Sequence, residues 1–451
     1  MKGYRLSFHR QKLCERISAV AAYLEASWPA AWGAPSRRDR RGGVYRPYLP
    51  DELVSGPLVL SPEVAQEAAR AEGLVRRLTA HSAGHGVDGL ARFLLRSEAI
   101  ASSRIEGLQT SPQQVALAEL AAHESGGVSK GFTATAALVA NNVSTLRQAV
   151  TELVAVDAVS IEDIVALHAM LLPEEKHHGL REVQTWVGGG HWQPLDAEFV
   201  PPPPEYVRPL MDDFVSYVNR AEHAPLIQAA MAHAQFETIH PFTDGNGRVG
   251  RAMVHTILTR RGLTPHAILP ISLVLLTRSD AYINGLTAYR YAGDAGSQEA
   301  RQGIDAWLRV FLAATVTAVE QAERFADELE ELREEWRERH RRFRESQGLR
   351  PVPRADSAVV RLLDLLPAAP LVTARTVQGL LSVTHPAARQ ALEELSAAGI
   401  LHPKQVERNT RGYLAREVFD LLTLTERRLA STRWDTRESP PARLVPARPQ
   451  R

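Results

Sequence analysis

The chain has 451 residues, a hydrophobic fraction of 44% and a formal net charge of +1 at pH 7. This length exceeds what one ordinary hydrophobic core organises, so we expect two or three domains. A net charge so close to zero argues against a surface adapted as a whole to nucleic acid or to anionic membranes. The single cysteine, Cys14, excludes a disulfide framework within the chain and argues against a cysteine-based metal site. No apolar run is long enough to span a bilayer, so we expect a cytoplasmic protein without a membrane partner.

The N-terminal part of the sequence divides into an arm and a helical region. Residues 1–45 contain an arginine- and glycine-rich stretch, Ser36 to Gly43. Such a run can contact nucleic acid, but its composition favours a solvated and flexible arm. Over residues 46–125, apolar residues such as Leu90 and Leu94 recur at helical spacing, which predicts an N-terminal helical region.

Residues 126–303 form a central region that is helical except near its middle. There Val183 to Val187 and the His191-Trp192 pair flank three glycines, Gly188 to Gly190. Aromatic and β-branched residues around a glycine turn predict a short β-hairpin. Pro201 to Pro204 end it, because proline cannot continue a paired strand. Farther on, residues 225–239 are predicted to form an amphipathic helix.

The C-terminal part contains a long helix and a small domain. Residues 304–348 are predicted to be a long helix with its linker, whose second half, Glu330 to Glu345, carries mixed charge and should be solvated. A small domain follows at 355–425, and the proline- and arginine-rich tail, 433–451, is predicted to be disordered.

The small domain has the pattern of a winged helix. Thr373 is a predicted cap of a helix over 374–381, and Thr384 of a helix over 386–398 that buries Ala388, Leu392 and Leu395; strands follow around Val406 and Tyr413. Arg389 is the main basic residue of the second of these helices, which therefore carries little positive charge for binding DNA. A docking or dimerisation module is an equal alternative.

The segment from His240 to Arg251, His-Pro-Phe-Thr-Asp-Gly-Asn-Gly-Arg-Val-Gly-Arg, concentrates the chemistry of the chain. Pro241 disfavours helical backbone at His240, so the histidine should lie at the end of a helix. Gly245 and Gly247 let the backbone approach a ligand without Cβ atoms in the way. A second helix starts near Arg248, and its free N–H groups and dipole favour an anion there.

The charged residues of this segment predict a nucleotide phosphate site. Arg248 and Arg251 lie on one helix face, and both can bind the same polyanion through bidentate hydrogen bonds. Asp244 would repel a bare phosphate, so its carboxylate fits a Mg²⁺ ion that bridges phosphates. His240 can accept a proton at neutral pH. The plainer alternative is a helical connection with a buried histidine and two surface arginines.

At every defined position this segment resembles the signature motif of the Fic family, His-Pro-Phe-x-Asp-Gly-Asn-Gly-Arg-x-x-Arg. The resemblance implies a helical Fic core that moves AMP from ATP to a Ser, Thr or Tyr hydroxyl of a protein. It implies that His240 is the general base, that Asp244 is the Mg²⁺ ligand and that Phe242 anchors the loop in the core. Kinase-like Doc relatives tend to carry Lys at the position of Gly247, so the glycine favours AMP transfer. The residues implied in phosphate binding are Gly245, Asn246, Gly247, Arg248 and Arg251.

Two further resemblances concern the target and the adenine. The hairpin resembles the Fic flap, which implies that an extended target segment pairs with it and places a hydroxyl near His240. Family members often place an aromatic residue near the adenine, and Tyr282 is our candidate, with core packing as the alternative. The residues of the predicted docking edge are Thr185, Trp186, Val187 and Gly188.

The segment from Ser102 to Gly107, Ser-Ser-Arg-Ile-Glu-Gly, resembles the Fic inhibitory motif, Ser/Thr-x-x-x-Glu-Gly. The resemblance implies that Glu106 pairs with Arg251 and keeps the γ-phosphate of ATP out. A carboxylate is a chemically reasonable competitor for a phosphate-binding guanidinium. Gly107 is a reasonable helix end. The layout is similar to that of the N-terminally inhibited class of the family.

The sequence thus predicts a mainly α fold: a helical Fic core with a short β-hairpin flap, and a C-terminal winged-helix domain. The predicted function is a protein adenylyltransferase restrained by Glu106. Two alternatives are removal of AMP by the same site, and a winged-helix transcriptional regulator whose Fic domain senses nucleotide. The sequence leaves open whether the chain modifies itself, pairs with a second copy or binds DNA.

Overall fold

The computed structural model of the chain describes residues 20–54, 58–82, 87–123, 131–220, 222–265, 268–407 and 410–433. Within these ranges the protein is mainly α-helical, which confirms the predicted fold class. None of the helices there combines the length and the apolar character that crossing a bilayer requires. The helices are α1 (Pro62–Ser82), α2 (Val87–Ile105), α3 (Pro112–His123), α4 (Ala134–Ala155), α5 (Ile161–Leu171), α6 (Pro204–Asn219), α7 (Pro225–Ile239), α8 (Asn246–Arg260), α9 (Ile271–Thr277), α10 (Ser279–Tyr289), α11 (Gln298–Ser346), α12 (Ala358–Leu365), α13 (Ala374–Leu381), α14 (His385–Ala397) and α15 (Arg416–Arg433).

The strands of the described ranges are short and antiparallel. Strand β1 pairs with β4 and β2 with β3, while the three strands near the C-terminus form a sheet in the order β5-β7-β6. Their bounds are β1 (Ala22–Tyr23), β2 (Ala26–Trp28), β3 (Gly43–Tyr45), β4 (Tyr48–Leu49), β5 (Leu371–Thr373), β6 (His402–Glu407) and β7 (Thr410–Leu414).

The prediction of a flexible arm over residues 1–45 is wrong for residues 20–45. This segment forms β1 to β3, and its arginine-rich stretch is held by an acidic partner: Arg38 and Arg41 donate hydrogen bonds to Asp196 at 2.9 and 2.8 Å. Composition identified the charges but not the carboxylate that receives them. Residues 1–19, with Cys14, lie outside the described residues, as does the predicted tail after Arg433.

The chain divides into two compact units. The first comprises Met1–Gly84, Asn141–Leu269 and Asp280–Val319; the second comprises His85–Ala140, Pro270–Ser279 and Glu320–Arg451. This division departs from the predicted boundaries, since α1 and α2, predicted in one N-terminal region, belong to different units.

Helix α7 forms the centre of the first unit. All its residues are buried, so the prediction of an amphipathic helix there is wrong. A helix that is covered on every side needs no polar face. Phe236 of α7 packs against Phe214 of α6, with ring centroids 5.4 Å apart, and Trp307 donates a hydrogen bond to the carbonyl of Ala230 at 2.9 Å. These contacts fix α7, and with it the residue that follows.

The C-terminal elements of the second unit include the predicted helices and strands, together with β5 and α15, which were not predicted. The hydroxyl of Thr373 accepts a hydrogen bond from the amide of Thr376 at 3.1 Å, and that of Thr384 accepts one from Ala387 at 3.4 Å. Both predicted helix caps are therefore confirmed. The predicted inward face of α14 is buried, namely Ala388, Leu392 and Leu395.

The second half of α11, Glu330 to Glu345, is less solvated than predicted. Trp336 is fully buried, and His340 contacts Glu394 of α14 at 2.7 Å. Arg339 contacts Glu417 of α15 at 2.8 Å. The charged composition hid one face that packs against the C-terminal elements, because charged residues on the remaining faces dominate the pattern.

Candidate functional site

His240 directly follows α7 in an unusual backbone conformation. Its φ and ψ are 50° and 59°, in the left-handed region, while its amide still donates to the carbonyl of Phe236 at 2.9 Å. A residue with a Cβ is strained in this region, and such strain tends to accompany function. The helix ends where Pro241 predicted, and it presents the imidazole beyond its last turn.

A buried arginine that the motif does not include holds this turn. Arg181 is 3% exposed, and burial lowers the pKa of its guanidinium to about 10, although the charge of Glu205 opposes the shift. The group therefore stays positive at neutral pH. Its hydrogen bonds all go to backbone carbonyls: Nε to His240 at 2.7 Å, Nη2 to Pro202 at 2.6 Å and Ile239 at 3.2 Å, Nη1 to Val183 at 3.1 Å, and its amide to Pro241 at 2.9 Å.

The side chain of Asn246 closes the loop after His240. Its Oδ1 accepts from the amide of Phe242 at 2.8 Å, and its Nδ2 donates to the carbonyl of the same residue at 2.9 Å. Asn246 therefore sets the shape of the loop. The predicted contact of this side chain with a phosphate would have to come from the second hydrogen of Nδ2, because Oδ1 is an acceptor that already holds the amide of Phe242.

Glycine suits position 245, where α8 begins, better than a residue with a Cβ. Its φ is 78°, and a Cβ there would lie 3.1 Å from Leu171 and 3.2 Å from Leu172. Its amide donates to Oδ1 of Asp244 at 2.6 Å. Gly247 is buried in the first turn of α8. The predicted glycine turn is thus present. It leads directly into the N-terminus of α8, where the backbone N–H groups favour an anion.

His168 supports the loop from α5 and was missed by the sequence analysis. Its Nε2 donates to the carbonyl of Asp244 at 2.9 Å, and its ring is fully buried. Burial lowers the pKa of His168 to about 4, although the bond to Asp244 opposes the shift, so the ring is neutral at pH 7. A hydrogen bond to a backbone carbonyl 76 positions away leaves no pattern in the sequence.

Both motif arginines are buried. Arg248 and Arg251 lie three positions apart on α8 and are 3% and 4% exposed. The alternative of two surface arginines is therefore wrong. Arg248 also lies 3.6 Å from Oδ1 of Asp244, an ion pair that keeps the carboxylate beside the loop.

The side chain of Asp244 is 56% exposed, and one of its oxygens already receives the Gly245 amide. No three His, Cys, Asp or Glu side chains in the part of the chain that the structure describes are grouped to hold a metal. The exposed carboxylate of Asp244 is a hard oxygen ligand of the kind that Mg²⁺ prefers. Binding of Mg²⁺ by Asp244 stays a prediction.

Tyr282 lies in the core of the first unit. It is 5% exposed, its hydroxyl is 2.8 Å from Nε2 of His233, and the two rings are stacked at 5.8 Å. This placement favours the packing alternative over the adenine contact predicted for Tyr282.

The predicted hairpin is closed by a different pair of residues. Val187 pairs with Phe199 in an isolated bridge, with hydrogen bonds of 2.8 and 3.2 Å, so its pairing with His191-Trp192 is wrong. Gly188 and Gly189 both have positive φ, and the indole of Trp186 donates to the carbonyl of Gly190 at 2.7 Å. These bonds turn the chain into a wide loop instead of a tight ladder. We call residues 183–202 the flap.

The N-terminal strands pack against the flap within the first unit. Trp28 of β2 lies edge-on to Trp186 with centroids 5.3 Å apart, and its indole donates to the carbonyl of Trp192 at 3.2 Å. Among the predicted docking residues, Thr185 and Trp186 are half-buried, while Val187 and Gly188 are exposed. The backbone N–H and C=O of Val187 are already bonded within the flap, so docking of a target segment at these residues stays a prediction.

Glu106 follows the last residue of α2 in the second unit. Gly107 has φ of 78°, its amide donates to Arg104 at 2.9 Å, and the amide of Leu108 donates to Ser103 at 3.1 Å. This is the Schellman pattern of a glycine-terminated helix, so the predicted helix end is confirmed. The pairing of Glu106 with Arg251 stays a prediction.

Comparison with known proteins gives matches to the middle of the chain. Residues 158–258 match the model of the Fic/DOC family. Protein adenylyltransferase fic-1 of Caenorhabditis elegans is 35% identical over 133 residues, which are 28% of this chain and 23% of that protein. Protein adenylyltransferase Fic of Drosophila melanogaster is 37% identical over 115 residues, or 24% of this chain and 21% of that protein. The chain thus spans less than a quarter of the length of these relatives.

Among solved structures, a Fic family protein from Desulfovibrio desulfuricans G20 covers 80% of this chain and 98% of its own, with a TM-score of 0.48 and 21% sequence identity.

Proposed function

Because residues 158–258 form a domain of the Fic/DOC family, we propose that the chain is a protein adenylyltransferase that moves AMP from ATP to a Ser, Thr or Tyr hydroxyl of a protein. The observation that carries the proposal is His240, held in a left-handed conformation directly before the glycine turn of α8. The relatives that are named protein adenylyltransferases support the same reaction.

In the proposed reaction, His240, the arginines and Asp244 have separate roles. The acceptor oxygen gives its proton to the imidazole of His240 and bonds to the α-phosphorus of ATP. The bond from that phosphorus to its bridging oxygen breaks, and pyrophosphate leaves. The N-terminus of α8, Arg248 and Arg251 would bind the phosphates. Asp244 would hold Mg²⁺, which neutralises phosphate charge when bound.

We also propose that the resting site is restrained by Glu106. This proposal rests on the likeness of Ser102 to Gly107 to the inhibitory motif of the Fic family, in which a glutamate pairs with the second motif arginine. The Schellman turn at Gly107 places Glu106 at the end of α2.

Intact mass measurement tests the proposal. The purified wild type, Glu106→Gly and Glu106→Gly/His240→Ala would each be incubated with ATP and Mg²⁺ before the mass is measured. In a second experiment, each would be added to a cell extract with ATP that is labelled in its α-phosphate. We expect an AMP adduct on the Glu106→Gly chain or on a protein of the extract, and none with the double variant. A phosphate-sized adduct would indicate kinase-like chemistry. Equal transfer by the wild type and Glu106→Gly would refute the restraint.

A second candidate is a transcriptional regulator that senses nucleotide, and the order α12-β5-α13-α14-β6-β7 supports a winged helix as its DNA-binding part. The charge pattern gives it little support, because Arg389 on α14 pairs with Glu393 at 2.8 Å. Binding of the full chain to a DNA library at 150 mM salt would favour this candidate. Removal of AMP is the remaining alternative, for which loss of Glu106 should lower activity instead of raising it. The cytoplasmic location, self-modification and pairing of two copies stay predictions.

A further inference from the structure

We propose that Arg181 is a positioning residue that joins the flap to the backbone of His240, so that the docking edge and the general base move as one body. The inference rests on the proposed function for its catalytic consequence. Its structural basis is that a single guanidinium bonds to both ends of the flap, through Val183 and Pro202, and to the end of α7, through Ile239 and His240.

The chemistry of Arg181 makes this connection stiff. A guanidinium is planar, so its donors keep fixed directions, and the carbonyls that they bind are held in fixed relative positions. The last carbonyls of a helix lack partners within the helix and lie at the negative end of its dipole. Arg181 bonds to the carbonyls of Ile239 and His240 there, so its positive charge is stabilised by α7 itself.

The strained conformation of His240 explains why the connection matters. A left-handed residue with a Cβ persists only where its surroundings hold it. The amide of His240 is held by Phe236, and its carbonyl by Arg181. Without the second bond, φ and ψ of His240 can relax, and the imidazole then points in another direction because the backbone sets the position of its Cβ. The phosphate-binding groups on α8 would be unaffected.

Two other residues of the first unit provide matched controls. Arg260 is a second guanidinium that bonds to carbonyls, far from His240 at the other end of α8; its acceptors are Leu153, Val154, Val156 and Asp157. Gln184 ties the two ends of the flap together, with bonds of 3.0 Å to the carbonyls of Thr185 and Pro201, without reaching His240. Arg260, which is half-buried, controls for the loss of a guanidinium that bonds to several carbonyls, and Gln184 controls for a loosened flap.

The first test is kinetic and uses the full chain with Glu106→Gly as parent. We expect Arg181→Gln to lower kcat for AMP transfer about 100-fold, the scale of a misplacement of about 1 Å. The KM for ATP should stay within about threefold, because the phosphate site is intact. Arg181→Lys should recover part of kcat, and Arg260→Gln should keep it. A kcat for Arg181→Gln equal to that for Arg260→Gln, or a parallel rise in the KM for ATP, would overturn the proposal.

The second test is hydrogen exchange, which does not depend on activity. Arg181→Gln should speed amide exchange in both 183–202 and 239–246, whereas Gln184→Ala should do so in 183–202 alone. Faster exchange in only one segment of Arg181→Gln would refute the connection. If that variant does not fold, the same comparison is made with Arg181→Lys. A parent that transfers no AMP would count against the proposed function, while the exchange pattern would still decide whether Arg181 couples the two segments.

Discussion

The imidazole of His168 lies flat on the ring of Phe242, with centroids 3.8 Å apart and planes inclined by 9°. The stack joins α5 to the loop after His240, and the same imidazole bonds to the carbonyl of Asp244. One side chain therefore supports the loop by packing and by hydrogen bonding.

Replacing His168 separates these two contributions. His168→Phe can keep an aromatic contact with Phe242 but leaves the carbonyl of Asp244 without its donor, at a cost of about 1–3 kcal/mol for a buried acceptor. We expect the KM for ATP with Mg²⁺ to rise, since the carbonyl and the carboxylate belong to the same residue. Steady-state kinetics and urea unfolding measure the two effects. An unchanged KM would show that the hydrogen bond does not position Asp244.

Gly245→Ala should cost more stability than Gly262→Ala. Both glycines have positive φ, 78° and 68°, so alanine is strained by about 1–2 kcal/mol at either position. At Gly245 the added Cβ also meets Leu171 and Leu172, whereas at Gly262 it meets nothing within 4 Å. Urea unfolding of both variants isolates the crowding. Equal losses of unfolding free energy would mean that the leucine side chains move away freely.

Acid should destabilise the first unit through His233. Burial, followed by the charge of Arg251, lowers the pKa of His233 to about 3. Above pH 6.5 the histidine is neutral in the folded and the unfolded state, so it does not make the free energy of unfolding depend on pH. Below pH 6.5 the unfolded state alone takes the proton, so stability falls by up to about 1.4 kcal/mol per pH unit from this residue.

The measurement is urea unfolding between pH 7.5 and 4.5. His233→Gln should have a shallower dependence on pH below 6.5 than the wild type. A slope unchanged by His233→Gln would show that the ring takes up its proton in the folded state.

Tyr282→Phe removes the hydroxyl that contacts His233 and keeps the ring. We expect a loss of about 1 kcal/mol, the usual net value of one hydrogen bond, and an unchanged KM for ATP. Thermal unfolding and kinetics with ATP and with GTP test this. A KM that rises for ATP but not for GTP would favour the adenine contact predicted from the sequence.

Features that depend on neighbours in sequence were predictable. Thr373, Thr384 and Gly107 act on backbone groups within a few residues, so a short stretch of sequence contains both partners of each bond. The end of α7 at Pro241 follows from the same kind of local sterics. The spacing of Asp244 and Arg248 in the loop likewise accounts for the ion pair between their side chains.

Features that depend on distant partners were not predictable. The guanidinium of Arg181 bonds to carbonyls up to 59 positions away, and every residue type has a carbonyl, so no pattern marks the partner. The burial of α7 on all sides depends on which helices surround it, which its own periodicity does not encode. The closing pair of the flap was misplaced because Val187 pairs across a wide loop with Phe199.

The left-handed conformation of His240 has a consequence for the history of this chain. Glycine adopts that conformation without steric penalty, so histidine at this position costs stability that glycine would not cost. Under the proposed function, copies of the gene that are selected for folding but no longer for AMP transfer should accept glycine at position 240 and gain stability as they lose the proposed base. Glycine there, beside an intact pair of arginines, would mark descendants that keep the proposed phosphate ligands without the proposed base.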